Sequence, residues 1–223
     1  MAAEARTTRP SLPPHGALPT GERLRLWTTL MCHAPEGEAP EVQAMAGVLA
    51  TAWSRHGLAW LPLTDLGVAD TRQLLARWFP GVDRALALDW PALASAARPE
   101  PRQDEIEDLV RLLTTCAGEA GAQCPAEDRW LAHALAQATL GQDHLWQDLH
   151  LPSRRELSAL MQARFPRLAA RNDRDMKWKK FLYKQLCDQA EISLCRAPSC
   201  GVCTDQAFCF GPEEAASPAQ PLR

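Results

Sequence analysis

The sequence has no apolar run approaching the roughly 18 residues that a helix needs to cross a bilayer. Its first residues, with Arg6, Arg9, Pro10, Pro13 and Pro14, hold no signal-peptide stretch, so a cytoplasmic chain is expected. Charge of one sign is also missing: the formal balance of −3 over 223 residues draws the chain neither to nucleic acid nor to an anionic membrane. No nucleophile–base pair, phosphate-cradling glycine loop or metal-hydrolase motif is present, and no turnover chemistry is expected. No repeat of fixed period appears either, which argues against a solenoid.

What the sequence does have is helical spacing. Val42, Met45, Ala46, Leu49 and Trp53 recur at three- and four-residue steps, as do Ile106, Leu109, Val110 and Leu113, and each set makes one buried stripe. Pro125 suits a first helical turn ahead of Trp130, Leu131, Ala134 and Leu135. Ser153-Arg-Arg-Glu156 reads as a capping box before Leu157, Leu160 and Met161, and Pro166 ends that helix. The stretch Leu58 to Leu63 contains Pro62, lacks alternation and reads as a loop. The acidic run Asp104, Glu105, Glu107 and Asp108 suits the positive end of a helix. The expected fold is all-α: a compact bundle of about six to seven helices spanning 21–210 as a single domain, with a C-terminal cysteine-rich loop at 195–209. The proline-rich segments 1–20 and 211–223 are expected to be flexible tails.

The chain has eight cysteines, and in a reducing compartment a clustered set more often binds metal than forms disulfides. Cys32, Cys116, Cys124 and Cys187 are scattered, and the first three are expected to pack in the core. The other four stand as Cys195-x4-Cys200-x2-Cys203-x5-Cys209. The two-residue gap lets a tight turn aim two thiolates at one centre, with Pro198 and Gly201 supplying bends. Thiolates are soft, anionic ligands that suit zinc or iron–sulfur clusters and not magnesium or calcium. Zinc modules usually pair two chelating knuckles across a longer insert, whereas short unequal gaps suit sulfurs spread around a polynuclear cluster. The spacing thus favours iron–sulfur over structural zinc and leaves both open.

Upstream, Asn172 or Asp173 is expected to cap a helix that buries Trp178, Phe181, Leu182 and Leu186. Arg174, Lys177, Lys180 and Lys184 would form a cationic stripe on another side. Such a stripe is either a solvated face, a docking surface for an acidic partner, or a source of positive potential for a thiolate-ligated cluster. Nucleic acid is disfavoured, because the aromatics fall on the buried face.

The segments DMKWKKFLYKQLC, LCRAPSCGVC and CFGPEE together resemble the C-terminal signature of the NifQ family, molybdenum-processing proteins of nitrogenase cofactor synthesis. A weaker likeness runs through HLWQDLHLPSRRELSALM and FPRLAARN, so that about 144–214 is covered. The resemblance implies that Cys195, Cys200, Cys203 and Cys209 hold an iron–sulfur cluster of three- or four-iron type that incorporates molybdenum. It further implies molybdate or another molybdenum species as the incoming metal, and the cofactor-assembly scaffold and the nitrogenase iron protein as partners. Cys187 is either a spare thiolate or a buried helix cysteine. His133, His144 and His150 read as surface or hydrogen-bonding residues rather than ligands. An electron-transfer protein with a fixed cluster, or a binding protein stapled by zinc, are the alternatives.

Overall fold

In this computed structural model the described residues are 21–95, 102–117 and 123–189. They form α1 (Gly21–Cys32), α2 (Pro40–His56), α3 (Val68–Trp78), α4 (Val82–Ala85), α5 (Trp90–Ser95), α6 (Gln103–Thr115), α7 (Ala126–Thr139), α8 (Leu145–Asp148), α9 (Arg154–Arg164), α10 (Pro166–Ala169) and α11 (Trp178–Gln189), with no strand among them. The protein is all-α. Seven of these helices run eleven residues or longer, and α4, α5, α8 and α10 are short turns of helix between them. None of the described helices is long and apolar enough to cross a membrane.

The core sits on α2 and α7. Val42, Met45, Ala46, Leu49 and Trp53 of α2 are all buried, as are Trp130, Leu131, Ala134 and Leu135 of α7. Helix α2 packs on α1, α7 and α9, while α7 packs on α2, α6 and α8. Burying a large aliphatic or aromatic side chain contributes about 1.5–3 kcal/mol, so these stripes supply most of the force for collapse. Aromatic contacts tie the layers: Trp78 meets Trp130 edge-on at 5.8 Å, and Trp53 Nε1 donates to the Trp60 carbonyl at 3.0 Å. One hydrophobic cluster runs from Leu26 in α1 to Leu182 in α11. The segment Leu58 to Leu63 is a loop between α2 and α3.

Local signals act largely as read. Ser153 caps α9, accepting from the Arg155 amide at 3.1 Å and bonding the Glu156 carboxylate, which holds that carboxyl below its ordinary range. Pro166 ends α9 and opens α10, where its missing N–H costs nothing. Pro125 stands at the cap of α7, one place before the expected first turn.

Two expectations are corrected. Cys32 is exposed, since α1 buries the Leu26, Trp27, Leu30 and Met31 stripe and Cys32 falls beyond it. The last long helix begins at Trp178 rather than after Asn172 or Asp173, so Arg174 precedes the helix instead of sharing its face. Asn172 spends its amide on a turn: its Oδ1 accepts from Met176 N at 2.8 Å, and its Nδ2 donates to Met176 O at 2.9 Å. Cys116 is buried as expected, while Cys124 is half-buried.

Candidate metal centre

The cysteines Cys195, Cys200, Cys203 and Cys209 lie outside the described residues, as do the segments 1–20 and 211–223. Along the chain, the described element nearest these cysteines is α11, which ends six residues before Cys195. How α11 is fixed is therefore the first question of geometry. Trp178, Phe181 and Leu182 are buried, with Leu186 packed against the core more loosely. Trp178 Nε1 donates to Ser158 Oγ of α9 at 3.0 Å, and its ring meets Phe181 edge-on at 5.7 Å.

Polar contacts fasten the helix on two sides. Lys179, whose side chain is 18% exposed, pairs with Asp148 of α8 and donates to the Gly141 carbonyl at 2.9 Å. Burial nonetheless holds the Asp148 carboxyl above its ordinary range, against the pull of the Lys179 ammonium. Gly141 must lack a side chain here, because a Cβ would overlap that carboxylate. Further along α11, Tyr183 Oη accepts from Arg102 at 3.0 Å, and Arg102 grips Glu105 through two bonds of 2.7 Å. Burial, and next the Glu105 carboxylate, push the Tyr183 phenol up to about 12. Arg154 secures the preceding turn by donating to Asp175 O at 2.8 Å, Asp175 Oδ1 at 2.9 Å and Met176 O at 3.1 Å. Asp175 sits there at φ +53°, a left-handed conformation that the clamp sustains.

The cationic residues fall in three settings. Lys180 and Lys184 are exposed on α11, with Lys184 bonded to Asp188 at 2.6 Å. Lys177 is half-buried at the helix start, and Arg174 is exposed in the turn before it. Cys187 is half-buried near the end of α11. The histidines are engaged elsewhere: His133 Nδ1 bonds the Thr64 carbonyl at 2.9 Å, His150 Nε2 bonds Thr51 Oγ1 at 3.0 Å, and His144 begins α8, its amide donating to Gln147 Oε1 at 3.1 Å. Burial holds both the His133 and His150 rings below the ordinary histidine range, the latter at about 4.

Sequence reading missed Lys179, Asp148 and the Arg154 clamp. Lys179 sits in a run of lysines, and nothing in the spacing separates it from its solvated neighbours. Its partner lies 31 residues away.

The profile of the NifQ family matches residues 44–211, which span α2 to α11 and all four clustered cysteines. The chain belongs to the NifQ family. It is 41% identical over 194 residues to Protein NifQ of Rhodobacter capsulatus, covering 82% of this chain and all of that relative. To Protein NifQ of Azotobacter vinelandii it is 40% identical over 167 residues, covering 71% of this chain and 83% of the relative. Klebsiella pneumoniae Protein NifQ matches at 46% over 82 residues, 36% of this chain and 48% of the relative. No solved structure matches. The family carries its link to nitrogen fixation in its name.

Proposed function

We propose that the protein is a non-enzymatic metallocluster carrier of the cytoplasm, which processes molybdenum and donates it for nitrogenase iron–molybdenum cofactor assembly. The cargo is an iron–sulfur cluster incorporating molybdenum, and the ligands are the thiolates of Cys195, Cys200, Cys203 and Cys209. The observation that carries this reading is a family match that encloses the four clustered cysteines together with the described helical core. Four soft anionic sulfurs suit such a cargo chemically. A three-iron cluster takes three thiolates and leaves one cube corner open, a position suited to receiving and releasing molybdenum.

Each part of the chain then has its task. The four thiolates bind. The buried stripes of α2 and α7, far along the chain from the motif, hold the fold when the cargo leaves. Lys180, Lys184 and Arg174, close along the chain to the motif, supply positive potential for an anionic cluster. The receiving partners are the cofactor-assembly scaffold and the nitrogenase iron protein.

Anaerobic purification followed by iron, molybdenum, zinc and sulfide analysis tests the reading. Iron and sulfide are expected, with molybdenum after molybdate loading, and all are lost in Cys203→Ser while helicity persists. Stoichiometric zinc without iron or sulfide would sink it. Incubation with molybdenum-free scaffold separates a donor, which gives up its molybdenum, from an electron carrier, which keeps its metal.

A further inference from the structure

Helices α3, α4 and α5 border a cleft of about 240 Å³ that no part of the proposed function uses. Its floor is apolar, made by Leu75, buried in α3, with Ala76 and Pro80 beside it. Local chemistry sets each wall. Gly81 takes φ +82°, a left-handed conformation that glycine adopts without steric cost, and so turns the chain from α3 into α4. His33 Nδ1 bonds the Pro80 carbonyl at 3.0 Å and fixes that turn beside the end of α1. Val82 is buried, which anchors the short helix that presents Asp83 and Arg84 to the cleft. On the other side the Asp89 carboxylate accepts from the Ala92 amide at 3.1 Å, and Leu93 is buried, so that α5 brings Trp90 to the rim.

Arg72, also lining the cleft, lies with its guanidinium carbon 4.6 Å from the centroid of the Trp90 ring. An aromatic face holds a cation without using its N–H groups, so the donor fork of Arg72 stays available. Other arginines are spent differently: Arg77, further along α3, bonds Glu127 at 2.7 Å, and Arg111 bonds Asp108 at 2.6 Å. Among the described residues neither Arg72 nor Arg84 pairs with a carboxylate. Two guanidinium groups and the single carboxylate of Asp83 line the cleft, which leaves one positive charge in surplus. A planar guanidinium matches the two oxygens of a carboxylate and also stacks on flat groups, while the floor offers burial to an apolar body. The volume lies below the roughly 300–1,000 Å³ of drug-sized ligand pockets and suits a single ring.

We propose that this cleft binds a small aromatic carboxylate, its carboxylate held by Arg72 and Arg84 and its ring seated over Leu75 and Ala76. The cleft shares no residue with the cysteine motif, so failure of either reading leaves the other standing.

Titration of the full chain with sodium benzoate, followed in proton–nitrogen correlation spectra, tests it. The indole N–H signal of Trp90 is identified among the eight tryptophans by its loss in Trp90→Phe. Benzoate should shift that signal saturably, while benzylamine and benzamide, which carry the ring without the negative charge, should not. Arg72→Gln and Arg84→Gln should each weaken binding about ten-fold or more, the loss expected of one charge-assisted hydrogen bond. Both side chains are exposed, so the substitutions leave the core intact, and Arg111→Gln, which does not line the cleft, should keep the parent affinity. No saturable shift with benzoate, an equal response to benzamide, or parent affinity in both glutamine variants of the cleft would overturn the proposal. So would a signal moved only by an acidic peptide such as Gly-Asp-Phe-Asp-Gly, which would make the cleft a protein-docking surface instead.

Discussion

Replacing Lys179 by methionine keeps the stem of the side chain and removes its charge. In the native protein the ammonium pairs with Asp148, and both side chains are 18% exposed. Breaking a fully buried pair costs about 3–5 kcal/mol because the partner is left charged and unsatisfied, whereas exposed pairs contribute only about 0–1 kcal/mol. The partial exposure here sets the expectation at about 2 kcal/mol near pH 7, including the lost bond to the Gly141 carbonyl. For a chain of this size that is a fall in Tm of about 4–8 °C. Burial already holds the Asp148 carboxyl above its unfolded value, so its charging costs stability as pH rises through the window between the two values. Without Lys179 the folded value climbs further and the window widens upward. The cost of Lys179→Met therefore grows between about pH 3 and pH 7, because at the acid end Asp148 is largely protonated in both states. Denaturant titrations of both proteins across that range, under reducing conditions, measure the difference. A cost that is flat with pH, or a Tm change below about 1 °C at pH 7, would refute the assignment of the pair as the fastening of α11.

Tyr183 is the only tyrosine in the chain, so absorbance at alkaline pH reports it alone. Its phenol should ionise near 12 in the folded protein and return to about 10 in denaturant, and because the folded value is the raised one, stability should fall as pH rises from about 10 to 12. Ionisation at 10 in the native chain would show that α11 does not pack on α6 through this residue. Gly47→Ala drives a methyl into the His150 ring and should cost about 1–3 kcal/mol in a denaturant titration, largely recovered in the double variant with His150→Ala. A Gly47→Ala chain as stable as the parent would contradict the close approach.

The helices were legible where burial repeats along the chain. The α2, α7 and α9 stripes are unbroken local patterns, and Ser153 and Pro166 act through backbone groups within a few residues. The start of α11 was not legible, because Asn172 has the chemistry of a cap and of a turn, and only the position of Met176 decides between them. The four short helices are also hidden: a four-residue turn such as Leu145–Asp148 is too brief to show a period. The cationic stripe lost Arg174 for the same reason that α11 lost its first turn. The four clustered cysteines are plain in the sequence, but they lie outside the described residues, and their soft-metal chemistry stands as a proposal.

What the sequence determined by itself is therefore the periodic and the chemical: an all-α chain, its buried stripes, and four clustered thiolates in a NifQ-like setting. Tertiary structure alone decided which polar residues meet. Lys179 finds Asp148, His150 finds Thr51 across 99 positions, and Arg154 finds Asp175. Periodicity reports which face of a helix leaves water, a property of neighbours three and four residues apart. It carries no record of which distant helix will cover that face, and the polar groups that meet there are set by that choice.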